Sequence, residues 1–208
     1  MRGKILCALC VVLVAACGVA RPQEGDVSAL LDRAKQCVAD GNYPAAGAIY
    51  KQMAADYSGT EAGLDAQEKL IELYIDQGKQ AEADSAFEQM VADFAGLEGL
   101  AKAVDHVADR YRELRNYEKA REIYRYAVQT WPDAKHAADS QRAIALTSIL
   151  LGDEPNGQAA IDVLLSRYAS NPDIVEVVDH LADDMRELKR YKQARGLYQY
   201  VVLSLIHI

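Results

Sequence analysis

The residues best placed to do chemistry occur as two copies of one pattern. Asp105, His106, Asp109 and Arg112 recur as Asp179, His180, Asp183 and Arg186. On a helix, His106 and Asp109 stand three residues apart and share a face, which is a spacing that could hold a metal ion. Each cluster offers only two such ligands, too few for a closed site. The clusters also lie two repeat units apart, about 20 Å at about 10 Å per packed helix layer. No metal is expected, and the pattern reads as duplicated surface. Asp105, Asp109 and Arg112 fall at i, i+4 and i+7, so they form one charged stripe. Asp179, Asp183 and Arg186 repeat it, and Glu68, Glu72 and Asp76 place further acids near it. A stripe of this kind can recognise a charged or polar peptide. Its plainer reading is a solvated face whose internal Asp–Arg pairs contribute a few tenths of a kcal/mol each.

Catalytic patterns are absent from the sequence. There is no Gly-rich phosphate loop, no Gly-x-Ser-x-Gly and no paired-cysteine motif. No enzyme activity, cofactor or small-molecule substrate is expected. Lys and Arg number 23 and Asp and Glu 31, for a net charge of −8. Nucleic-acid binding is driven largely by neutralising phosphates, so this balance disfavours it. Half of the residues are apolar and a quarter are charged, which suits a folded chain. Ala, Leu, Glu, Gln, Lys and Arg are abundant, and β-branched or aromatic runs are few. Helix is therefore favoured over sheet.

Four cysteines are present. Cys7, Cys10 and Cys17 lie in or beside the N-terminal segment, and Cys37 alone lies in the body. Cys37 shares a helix column with Tyr74 and Tyr111 and is expected to be buried and inert. Arg2 and Lys4 precede a 12-residue apolar run, Ile5 to Ala16. A spanning helix needs about 20 residues, so the run reads as a signal peptide. Val14-Ala15-Ala16-Cys17 resembles the bacterial lipobox. That resemblance implies cleavage before Cys17 and acylation of it by diacylglyceryl and palmitate-type chains. Several acyl chains anchor stably where one does not. Gly18 follows where an acid would retain the protein in the inner membrane, so the resemblance implies the periplasmic side of the outer membrane. Residues 1–16 are thus the expected signal peptide and 17–26 a lipidated tether, rich in Pro and Gly for their length.

The elements that must position the stripe come from a repeat. Ala46, Ala83, Ala120, Gly157 and Ala194 are each 37 residues apart. Tyr50, Phe87, Tyr124, Ile161 and Tyr198 keep the same step, as do the aromatics Tyr57, Phe94, Trp131 and Tyr168. Residues 104–128 and 178–202 share 14 identities in 25 positions. The units are 27–63, 64–100, 101–137, 138–174 and an incomplete 175–202. Each reads as two helices, because apolar residues recur at helical spacing on either side of a turn such as Asp40-Gly41-Asn42 or Gln77-Gly78-Lys79. The expected fold is all-α, an α-solenoid of five antiparallel helix pairs.

Gly41-Asn42-Tyr43, Ala46, Tyr50 and Met53 resemble the tetratricopeptide repeat, as do Asn116-Tyr117, Ala120, Tyr124, Ala127 and Trp131-Pro132. The chain departs from that family in its longer period, in a degenerate fourth unit (Asp153-Glu154-Pro155-Asn156, Gly157) and in lacking the first-helix Trp. The resemblance implies that first helices line a concave groove holding peptide ligands, with Asp105, Asp109, Arg112, Asp179, Asp183 and Arg186 as candidate contacts. Together with the lipobox, the period resembles envelope lipoproteins of the barrel-assembly and Tol-Pal coordinator group. The implied function is a non-enzymatic scaffold that is held on the outer membrane by lipid and binds other envelope proteins. A component of outer-membrane protein assembly is the narrower alternative. A module of a longer, truncated envelope enzyme is the alternative of another class. Residues 203–208 (Leu-Ser-Leu-Ile-His-Ile) break the register, which calls for an aromatic at 205, and resemble a translated sequencing adapter.

Overall fold

The computed structural model describes residues 24–206. The lipobox, Cys17 and most of the expected tether lie outside the described residues, as does His207. Among the described residues there are ten α-helices and no strand: α1 (Glu24–Ala39), α2 (Tyr43–Asp56), α3 (Glu61–Asp76), α4 (Gln80–Asp93), α5 (Leu100–Glu113), α6 (Tyr117–Thr130), α7 (Ala137–Leu150), α8 (Glu154–Arg167), α9 (Ile174–Glu187) and α10 (Tyr191–Ile206). Odd-numbered helices are the first of each pair and even-numbered ones the second. Helices α5, α7 and α9 begin one residue before the expected boundary and α3 begins three before it. Helix α1 also begins three residues early, so 24–26, expected in the tether, are helical. Asp26 in its first turn is favourable to the helix dipole.

The turn inside each pair has one geometry. Gly41, Gly78, Arg115, Gly152 and Lys189 all take a left-handed φ, of 72, 68, 61, 75 and 59°. They are spaced 37 apart, so every first helix ends in the same αL turn. The next residue starts the second helix. Asn42 and Asn116 cap it by accepting from the N–H of Ala45 and Lys119. The degenerate fourth unit keeps this turn, and its Pro155 sits in the first turn of α8, where proline is tolerated. Tyr57, Phe94, Trp131 and Tyr168 are the C-caps of α2, α4, α6 and α8. Leu205 takes that position in α10, and the helix runs one residue past it.

The alanine column is buried between helices. Ala46, Ala83, Ala120 and Ala194 are at most 3% exposed. At Gly157 a Cβ would come within 2.6 Å of Ile149 Cγ1, so in the fourth unit this contact leaves no room for the methyl group that the other units carry. One core runs from Leu64 to Val201, with two smaller clusters around Tyr50 and Met53. Cys37 is half-buried rather than buried. It lies on α1, the end helix, where among the described residues no preceding unit covers it.

Candidate functional site

Helix α6 packs on α7, which leaves a gap between the first helices α5 and α7. The gap is a cavity of about 250 Å³ lined by Lys102, Asp105, His106, Asp109 and Arg112 from α5, Tyr124 from α6, and His136, Asp139, Ser140 and Arg142 from the start of α7. Half of the expected stripe, Asp105, Asp109 and Arg112, therefore does face one space. Asp179, Asp183 and Arg186 lie on α9 at the same positions of the fifth unit.

The stripe is less free than its spacing suggests. Asp109 Oδ1 accepts hydrogen bonds from Arg112 Nη2 (2.7 Å) and from the Tyr124 hydroxyl (2.6 Å). Arg112 Nε also donates to the Tyr124 oxygen at 3.2 Å. In the fifth unit Tyr198 donates to Asp183, which pairs with Arg186 at 2.8 Å. Arg112 is thus bound into an Asp–Arg–Tyr cluster and is only 33% exposed, not an open contact. Burial opposes its charge, but the Asp109 and Tyr124 bonds hold its pKa above the ordinary value. Burial beside Asp109 likewise raises the Tyr124 phenol. Arg186 is 56% exposed, which leaves it the more available of the two arginines. The other units carry Val38, Ile75 and Ile149 at the arginine position, so the cluster belongs to units three and five alone.

Asp105 has a different environment. Its Oδ1 accepts from Ser140 Oγ across the gap at 2.7 Å. Burial pushes its pKa up to about 7, the Ser140 bond lowers it, and Asp109 and Asp139 raise it further. Asp179, the equivalent in the fifth unit, is half-buried and has no hydrogen bond among the described residues.

His106 does not pair with Asp109. Its Nδ1 lies 3.2 Å from Glu68 Oε1 on α3, linking units two and three. The Glu68 bond raises the His106 pKa. Burial disfavours the Glu68 charge, but His106 and Lys69 outweigh it and hold the carboxyl below its usual value. Among the described residues no group of three potential ligands could hold a metal ion. The sequence reading placed Glu68 near the stripe without its bond to His106, and it missed Ser140 and Arg142, whose Nη1 reaches Asp184 on α9 at 2.6 Å. Their only signal in the sequence was a position one unit away from the stripe.

No protein-family model matches the chain, and no curated protein matches it. Solved structures do. A kinesin light chain of Podosopora anserina with nearly identical TPR-like repeats superposes with a TM-score of 0.53 at 17% identity, covering 86% of this chain and 93% of that one. The fold is that of tetratricopeptide repeats. BtubC of P. vanneervenii superposes at 0.52 and 17% identity, covering 84% and 79%. PilF of Pseudomonas aeruginosa superposes at 0.50 and 16%, covering 86% and 76%. At these identities the likeness is one of fold. The α-solenoid expected from the repeat is the observed one, and the tetratricopeptide positions singled out in the sequence occupy its helix contacts and turns.

Proposed function

We propose that the chain is a non-enzymatic protein-binding scaffold, held by lipid on Cys17 at the periplasmic face of a bacterial outer membrane. Its partner is a peptide segment of another envelope protein, and the gap between α5 and α7 receives it. One observation supports the binding site above the others. The gap is an open cavity lined mainly by polar and charged residues, in which Asp109, Arg112 and Tyr124 are already fixed to one another. A fixed constellation loses little side-chain entropy when a ligand arrives. Lys102, exposed on the rim and without an ion-pair partner among the described residues, and Asp139 are the groups left to read the ligand's charge. The anchoring part of the reading is supported by the sequence Val14-Ala15-Ala16-Cys17 after a short apolar run. A role in outer-membrane protein assembly is the narrower form of the same proposal.

Two variants test it. Lys102→Glu and Asp139→Lys alter the rim and leave the fixed cluster intact. Each should reduce recovery of the partner from envelope extract at unchanged helicity, and the loss should depend on salt. Full recovery with both variants would remove the cavity from the reading. Cys17→Ser should release the chain from the membrane fraction or leave it unprocessed. A cleaved, unlipidated variant still on the membrane would overturn the anchor.

A further inference from the structure

The exposed large apolar side chains are not spread evenly over the solenoid. Apart from Val163 and from Val202, Leu203 and Leu205 in α10, those among the described residues are Tyr43, Leu114, Leu188 and Tyr191, at 42, 50, 37 and 64% exposure. All four stand in or beside the turns that join the two helices of a pair. They therefore share one edge of the array.

Two of these turns match. Leu114-Arg115-Asn116-Tyr117 follows the first helix of unit three, and Leu188-Lys189-Arg190-Tyr191 that of unit five. Each places a leucine, a cation at left-handed φ and a tyrosine on one tip. Arg115 and Lys189 hold a conformation that glycine adopts more cheaply, and the sister turns have glycine there. Both side chains are exposed and make no hydrogen bond or ion pair among the described residues. The strain thus gains no internal contact, which leaves the two cations for something outside the chain.

Charge also divides the two edges. In the turns 40–42, 77–79, 114–116, 151–153 and 188–190, Lys79, Arg115, Lys189 and Arg190 stand against Asp40 and Asp153. Arg121 neutralises Asp153, Arg190 pairs with Glu154, and Glu118 and Glu187 lie on the flanking helices. The loops between units, 57–60, 94–99, 131–136 and 168–173, carry Glu98, Asp133 and Asp173 against Lys135. A chain of net charge −8 thus keeps cations on the edge that also exposes leucine and tyrosine. This combination fits a lipid headgroup region. Leucine enters the acyl boundary, tyrosine sits at headgroup level, and a long cation reaches phosphate. Tips two units apart, about 20 Å at about 10 Å per helix layer, suit a flat surface that each can enter alone.

We propose that the tips at 114–117 and 188–191 rest on an anionic phospholipid surface. The contact is independent of any acyl chain on Cys17 and of the α5–α7 cavity.

The test uses the full chain with Cys17→Ser, so that no acyl chain is present. Its single tryptophan, Trp131, lies in a loop on the opposite edge. Leu114→Trp and, separately, Leu188→Trp are mixed with phosphatidylglycerol vesicles whose acyl chains carry bromine. Quenching of each introduced tryptophan is expected, with Trp131 of the parent unquenched. Arg115→Gly with Lys189→Gly removes both cations and suits the turn. It should raise the lipid concentration for half-quenching about tenfold or more. Phosphatidylcholine vesicles, or high salt, should weaken quenching likewise. No quenching at 114 or 188 overturns the proposal, including the case in which residues 5–16 alone bring the chain to the vesicle. Quenching that neither the glycine pair nor neutral lipid reduces overturns it, because the cations would then read no phosphate. Equal quenching of Trp131 overturns the choice of edge. A response at 114 to polyglutamate but not to vesicles would make the partner an acidic protein, and the lipid assignment falls.

Discussion

Asp105 shows how little of a side chain's behaviour is in its type. Aspartate normally ionises well below neutrality, but this carboxyl is held up to about 7 by burial between α5 and α7, with Asp109 beside it and Asp139 opposite, against the opposing effect of Ser140 and His106. A carboxyl whose folded pKa is raised binds more protons in the native than in the unfolded chain between the two values. Stability contributed by this site therefore falls as pH rises from about 4 to about 7. Asp105→Asn keeps an acceptor for Ser140 and removes the titration. Its stability relative to the parent should rise by roughly 1–3 kcal/mol across that window, after allowing for the water that reaches the cavity. Urea unfolding at both ends of the window measures it, and parallel pH profiles for the two proteins would assign the raised pKa elsewhere. His106 has the same sign from a different cause, a partner that favours its charged form rather than burial. Its pKa is raised by Glu68, so the bond between α3 and α5 is complete below the ordinary histidine value and weakens as pH climbs through the raised one.

At the scale of the element, the recurring device is the αL turn that closes every first helix. Three of its five occupants are glycine. Arg115 and Lys189 occupy it with φ of 61 and 59°. A side chain in that conformation costs about 1 kcal/mol, part of which glycine gives back through its freer unfolded chain. Lys189→Gly should therefore leave stability unchanged or raise it by up to about 1 kcal/mol. Gly78→Ala should lower it by about 1 kcal/mol, although nothing crowds its Cβ position. Thermal unfolding of the pair checks this. Equal losses from both substitutions would mean that the Lys189 side chain contributes a contact offsetting its strain.

For the whole molecule the unit of construction is two repeats. Gln67 Nε2 donates to the Ala86 carbonyl, and Gln141 Nε2 to the Ala160 carbonyl, both at 2.9 Å and both buried. The other units carry Leu30, Val104 and Val178 in place of the glutamine, and Ile49, Ile123 and Leu197 in place of the alanine. A long polar side chain facing a small residue thus alternates with an aliphatic pair of similar total volume. The junctions between units alternate as well, with α6 on α7 at one and α7 on α9 at the next. Gln141→Val alone should cost about 1–3 kcal/mol through the volume it removes, and Ala160→Ile alone a similar amount through overpacking. The double variant should recover at least half of the summed loss. Denaturant unfolding of the four proteins gives the coupling directly, and additive losses would show that the two positions do not share one space.

Helix number, pairing and turn positions were legible in the sequence because an indel-free period of 37 repeats the local signals five times over. Small residues such as Ala46 and Ala120 recur in one helix column, and Gly41 and Gly78 break two amphipathic runs at the same step, so these assignments needed no tertiary information. The charged stripe was legible only as a spacing. Which charges stay free depends on residues from other helices. Tyr124 takes up Asp109 and Arg112, Ser140 binds Asp105, and Glu68 draws His106 away from Asp109. Those partners lie 12 to 38 positions away along the chain. Periodicity along one helix carries no information about them, because a hydrogen bond across two helices is set by how the helices cross. The packing of the solenoid therefore decided which of the site residues are bound to one another and which, at the α5–α7 rim, stand open.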